Sequence, residues 1–147
     1  MVKIGVIGCG YWGPQHARNF HDLPDTQLSW ISDLRPERLQ HMRTLYPYVC
    51  TTTDYREVLD SDVDGVVVAT SVGSHYKLGS EALEAGKHVL IEKPLAATVA
   101  EAEELVGQGL LFGAEAAAQV VGQQALGGGL VLAQLLQGPL CRGLIAQ

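Results

Sequence analysis

Val2-Lys3-Ile4-Gly5-Val6-Ile7-Gly8-Cys9-Gly10-Tyr11-Trp12-Gly13 opens the chain and decides how the rest is read. Its first half is a short apolar run with β-branched residues, the make-up of a strand. Gly8, Gly10 and Gly13 then stand in a G-x-G-x-x-G array, and Pro14 begins a helical pattern. A strand, a glycine turn and a helix N-terminus in that order form a corner that cradles phosphates. Gly8 lets the chain turn tightly out of the strand. Gly10 keeps side chains away from an approaching pyrophosphate, and Gly13 lets the helix pack close to the strand. The helix adds unpaired N–H groups and the positive end of its dipole. Pro14 fits a first turn, where its missing N–H costs nothing.

Working outward, the next strand pattern is Gln27–Ser32, and it ends at Asp33, twenty residues beyond Gly13. A carboxylate at that distance accepts hydrogen bonds from the ribose hydroxyls of an adenine dinucleotide. It also repels a 2′-phosphate, which favours NAD; Arg35 and Arg38 stand close by and keep NADP open.

The remaining elements alternate. A first helix is expected over about Pro14–Leu23 and a second from Arg35 to about Tyr46, with a short third strand at Tyr48-Val49-Cys50. Asp54 should cap a short helix over Tyr55–Leu59. Gly65-Val66-Val67-Val68-Ala69 is an unbroken apolar run, as in a strand buried on both faces of a parallel sheet. A helix over about His75–Ala85 ends at Gly86, a residue suited to a C-terminal cap. His88–Ile91 is the fifth strand, and Thr98 with Glu101 forms a capping box for another helix. The pattern predicts an α/β fold, a doubly wound parallel sheet of the Rossmann dinucleotide-binding type. Gly8–Gly13, Asp33, Thr70-Ser71 and Glu92-Lys93-Pro94 all follow strands and should line one crevice at the carboxyl edge of the sheet.

The 147 residues suffice for one domain with a real core. With a net charge of −6 there is no basic footprint, so nucleic acid is not an expected partner. Three cysteines, Cys9, Cys50 and Cys141, have no metal-like spacing and suggest reduced thiols. Cys9 reads as packing within the glycine loop, not as a nucleophile, and no metal site is expected. The N-terminus runs straight into a strand without a leader pattern, and the reduced thiols make the expected location cytoplasmic. Residues 116–141 carry no charge, but five glutamines interrupt them, and no membrane span is expected.

The chain resembles the N-terminal domain of the Gfo/Idh/MocA family of NAD(P)-dependent oxidoreductases over about residues 2–106. The resemblance rests on the Gly8–Gly13 loop, Asp33, Ala69-Thr70 with Ser74-His75-Tyr76, Glu84–Val89 and above all Glu92-Lys93-Pro94-Leu95. Tyr11–Pro14 with Arg18-Asn19-Phe20, and Thr51–Tyr55, are similar to the branch acting on nucleotide-linked sugars. The resemblance implies that Lys93 is the catalytic residue, holding the hydroxyl to be oxidised and managing its proton. Glu92 would sit near the nicotinamide ribose, and Pro94 would fix the turn, a cis bond being one way to do so. It implies cofactor contacts from Tyr11 and Trp12 beside the three glycines, from Leu34 and Arg38 beside Asp33, and from Thr70, Ser71 and His75. His75 reads equally as a plain polar helix end. His16, His21, His41 and His88 read as surface or packing residues.

From Leu105 to Gln147 the charged residues are Glu115 and Arg142 alone, and the resemblance stops. The family would continue into a second, α+β domain that supplies the substrate pocket. That domain is expected to be absent, and residues 107–147 read as an atypical tail, either out of frame or divergent. If divergent, Ala114–Val121 and Leu130–Leu136 would form short helices. The expected function is hydride transfer between nicotinamide and a secondary alcohol of a sugar or nucleotide-sugar, weak or absent in this chain alone. The alternative is a non-catalytic NAD(H)-binding module that senses cofactor or docks a partner. Exposed apolar surface would favour homo-oligomers or self-association.

Overall fold

The structure, a computed structural model, describes residues 1–112 and two short strands at 118–120 and 133–135. Its elements follow the predicted alternation. β1 (Val2–Ile7), α1 (Gly13–Asp22), β2 (Thr26–Ser32), α2 (Pro36–Leu45) and β3 (Cys50–Thr52) form one run. α3 (Tyr55–Leu59) returns the chain to β4 (Gly65–Val68). α4 (His75–Glu84), β5 (His88–Ile91) and α5 (Val99–Phe112) complete the other side. The five strands are parallel and lie in the order β3-β2-β1-β4-β5.

Helices cover both faces, and the strands supply each face in turn. Val66 and Val68 join a cluster with Leu59, Leu78, Leu83 and Leu105 beneath α3, α4 and α5. Val67 and Ala69 enter a second cluster with Val6, Ala17, Leu39 and Met42 beneath α1 and α2. A strand with period-two side chains and two apolar faces has no polar position to give up, hence the unbroken valine run.

The predicted caps are present. Asp54 Oδ1 accepts from Arg56 N–H at 3.0 Å, opening α3. Thr98 and Glu101 bond each other's backbone N–H groups at 3.2 and 3.0 Å, opening α5. Gly86 follows α4 with φ +72, the left-handed conformation that glycine adopts without strain.

Two expectations are corrected. The third strand is Cys50–Thr52, not Tyr48–Cys50: Trp30, Ile31 and Ser32 pair with Cys50, Thr51 and Thr52, while Tyr48 is 98% exposed. Tyr48 and Val49 have strand propensity, but no partner strand reaches them. The helices expected over 114–121 and 130–136 are also not found where those stretches are described. Ala118–Val120 (β6) pairs antiparallel with Ala133–Leu135 (β7), with Gln119 opposite Gln134. Ala-Gln-Val and Ala-Gln-Leu alternate with the period of a strand.

Candidate cofactor-binding site

β1 and β4 are neighbours whose connections leave in opposite directions, through α1 to β2 and through α4 to β5. Their carboxyl ends mark the switch point at which sheets of this type hold ligands. Gly8 leaves β1 with φ +98, and a Cβ there would lie 2.7 Å from the Ala69 carbonyl oxygen. At Gly13 a Cβ would sit 1.8 Å from the Gly8 carbonyl oxygen, so α1 is drawn against its own strand. Gly10 differs. The nearest atom to a Cβ there is Arg38 Nη1 at 3.8 Å. The fold itself leaves room at Gly10, and that room suits phosphates approaching the backbone. α1 starts without a side-chain cap and without an acidic residue in its first turn. Its first N–H groups therefore suit an anion. Loop and helix fit a dinucleotide pyrophosphate.

Tyr11 and Trp12 lie on this loop, 79% and 45% exposed, packed edge to face at 5.1 Å. Cys9 beside them is buried. Burial, with the Asp33 charge adding to it, pushes its thiol up to about 12, which matches a packing role.

The loop is tied to the end of β2. Gly8 N–H donates to the Ser32 carbonyl at 2.7 Å, and Cys9 N–H donates to Asp33 Oδ2 at 2.6 Å. Asp33 Oδ1 accepts from Arg35 N–H at 2.9 Å, and Arg38 Nη1 stands 3.4 Å from Oδ2. Each carboxylate oxygen has about two acceptor sites, so Oδ1 keeps one for a ribose hydroxyl. Leu34, just beyond, is exposed.

After β4, Ser74 Oγ donates to the Ser71 carbonyl at 2.8 Å. That uses its one proton, so the 2.8 Å contact between the Thr70 and Ser74 hydroxyls has Thr70 as donor. Ser71 itself is exposed.

Glu92 follows β5 and is buried, its N–H still bonded to the Val68 carbonyl at 2.9 Å. Oε2 accepts from Lys93 N–H at 3.1 Å, and Oε1 lies 2.7 Å from Nε2 of His16 on α1. Lys93 is exposed, and the Lys93–Pro94 peptide bond is cis. His75, 1% exposed, sets Nδ1 2.8 Å from the Pro94 carbonyl and Nε2 3.1 Å from the Thr70 carbonyl. It bridges the loops that follow β4 and β5.

The strand ends thus bring Gly8–Gly13, Asp33, Thr70 and Glu92–Pro94 to one edge, as the sequence predicts. The sequence expects His16 at the surface or in packing; the structure buries it and adds a partner, Glu92, that the sequence does not show. One local signal existed: three residues after Gly13 on a helix, it shares that glycine's sheet-facing side. Among the described residues no group of three or more histidine, cysteine or acidic side chains is arranged to hold a metal ion.

A model of the family described as "Oxidoreductase family, NAD-binding Rossmann fold" matches residues 2–108. The chain belongs to the Gfo/Idh/MocA oxidoreductase family. Among its relatives, a myo-inositol 2-dehydrogenase of Thermotoga maritima is 36% identical over 106 residues, which cover 71% of this chain and 32% of that protein. Among solved structures, GenD2 from gentamicin A biosynthesis, in complex with NAD, has a TM-score of 0.73 and 30% identity, covering 76% of this chain and 32% of that one. KijD10, a 3-ketoreductase from Actinomadura kijaniata in complex with NADP and TDP-benzene, has a TM-score of 0.71 and 30% identity, covering 76% and 35%. The chain spans about a third of the length of these family members. As a member of the family it carries the NAD-binding fold, and its structural neighbours bind either NAD or NADP.

Proposed function

We propose that this chain is the cofactor-binding part of an oxidoreductase that passes hydride between a nicotinamide dinucleotide and a secondary alcohol of a sugar or nucleotide-sugar. The observation that carries this reading is the closure of the glycine loop onto Asp33 at the same sheet edge that presents Lys93. The bound dinucleotide would supply the hydride acceptor or donor. Gly8, Gly10 and Gly13 would admit its pyrophosphate, and Asp33 would accept its ribose hydroxyls. Tyr11, Trp12, Leu34, Thr70 and Ser71 would border it, and Lys93 would hold the reacting hydroxyl and take its proton. The inositol dehydrogenase and sugar ketoreductase relatives support the substrate class.

Asp33 favours NAD, since its buried carboxylate would meet a 2′-phosphate at close range; Arg38 is the cation that would temper the discrimination. Turnover needs a second wall to hold the alcohol in line. We therefore infer that the 147-residue chain binds cofactor and turns over sugars weakly or not at all. The uncharged stretch 116–141 favours association between copies.

The test is a titration of the chain with NADH and NADPH, followed through Trp12 and Trp30 fluorescence, beside a nicotinamide-coupled assay with inositols and nucleotide-sugars. Saturable binding with NADH preferred is expected. No binding of either cofactor would sink the reading. Robust turnover would overturn the inference that the chain alone is weak, and binding retained in Lys93→Ala without turnover in any form of the protein would favour a non-catalytic module.

A further inference from the structure

We infer that His16 is a positioning residue that couples the phosphate-cradling helix to the turn carrying Lys93, through the carboxylate of Glu92; this rests on the function proposed above. Three facts make the connection. His16 lies in the first turn of α1, with its N–H bonded to the Trp12 carbonyl at 3.0 Å, so it moves with the helix start. Its Nε2 is 2.7 Å from Glu92 Oε1, and both side chains are nearly buried, with 10% and 6% of their surface exposed. The second oxygen of the same carboxylate accepts the backbone N–H of Lys93. One carboxylate therefore spans α1 and the Lys93 backbone, over 76 residues of sequence.

Chemistry favours a directed role over simple packing. A buried carboxylate is costly unless its oxygens are hydrogen-bonded. Here the partners are one ring nitrogen and one backbone amide. If the ring is removed, Oε1 loses that partner, and Glu92 is free to turn toward solvent, taking its hold on the Lys93 N–H with it. The glycine loop has its own anchor at Asp33 and does not depend on Glu92. Loss of His16 should therefore loosen the nicotinamide end of the crevice and leave the adenosine end intact.

The experiment compares two probes on the full chain: NADH, and ADP-ribose, which carries the same adenosine and pyrophosphate without nicotinamide. In His16→Leu the affinity for NADH should fall by about tenfold, the scale of one hydrogen bond to a charged group, while ADP-ribose affinity stays within about twofold. His16→Gln, which restores an N–H donor, should recover most of the loss. In a Glu92→Leu background, where the bridging carboxylate is gone, His16→Leu should have no further effect on NADH. His16→Asn, polar but too short to reach Oε1, should behave as the Leu variant and serves in its place if that variant does not fold. Equal weakening of both probes would overturn the proposal, because it would make His16 a structural support of the loop. No weakening of either would overturn it as well. A parent chain that binds neither probe would remove both this inference and the function on which it rests, a result distinct from a parent that binds while the variants fail to split the probes.

Discussion

The backbone N–H of Cys9 donates to Asp33 Oδ2 over 2.6 Å, so the residue expected to read the ribose also closes the glycine loop. Asp33→Ala should thus do two things at once. It leaves a buried amide without an acceptor, at a cost of about 1–3 kcal/mol, and it removes the ribose acceptor. NADH affinity should fall by about tenfold or more. The affinity ratio of NADPH to NADH should rise, since Arg38 then faces the 2′-position without a competing carboxylate. Calorimetric titration with both cofactors checks this; an unchanged ratio would show that Asp33 does not discriminate.

The three glycines should separate by experiment. Gly13→Ala places a methyl group 1.8 Å from the Gly8 carbonyl oxygen and must shift α1. Overpacking of this kind costs at least about 1–3 kcal/mol, seen as a thermal midpoint lower by several degrees. Gly10→Ala meets nothing nearer than Arg38 Nη1 at 3.8 Å, so its midpoint should hold while NADH affinity drops. Thermal melts with and without NADH distinguish the two, and equal melting losses would refute the division.

Stability should fall at alkaline pH. Cys9 is raised in the folded state from an ordinary value near 9 to about 12, by burial first and the Asp33 charge second. The unfolded thiol loses its proton above about pH 9 while the folded one keeps it, so the unfolded state binds fewer protons and the stability contribution drops as pH rises toward 12. The slope for one thiol is about 1.4 kcal/mol per pH unit within that window. Tyr55, pushed up to about 12 by burial first and its hydrogen bond to Glu81 second, acts with the same sign. Urea melts between pH 8 and 11 measure it; Cys9→Ala should flatten part of the slope.

Alkylation should be selective. Burial pushes the Cys9 thiol up to about 12, so it keeps its proton at pH 8, and the residue is 5% exposed. Cys50 is exposed. Iodoacetamide should label Cys50 in the native chain and reach Cys9 only on unfolding, which peptide mass mapping reads directly. Native labelling of Cys9 would mean that the glycine loop opens.

Local chemistry made most of the framework readable. β4 announces itself because both of its faces are apolar, and Thr98 with Glu101 because a capping box is written within four residues. The tight turn at Gly8 and the close approach at Gly13 follow from the strand-turn-helix order. β3 was displaced by two residues because strand pairing, not the propensity of Tyr48 and Val49, selects which residues meet β2. The hydrogen-bond partners of His16 and His75 are not legible in the sequence for the same kind of reason. These partners, Glu92 on one side and Thr70 and Pro94 on the other, are brought to them by the sheet.

The order β3-β2-β1-β4-β5 has a kinetic corollary. Every pairing in this sheet is parallel, and each joins segments well apart in the chain. Such pairings form slowly, because loop entropy is lost before contacts return it. The proposed cofactor site draws on the ends of β1, β2, β4 and β5, so a half-assembled sheet would offer a dinucleotide no complete seat. Ligand that binds only the finished sheet shifts the whole equilibrium by mass action. NADH should then slow amide exchange in strands far from the phosphates, and act during refolding as a trap for the completed domain.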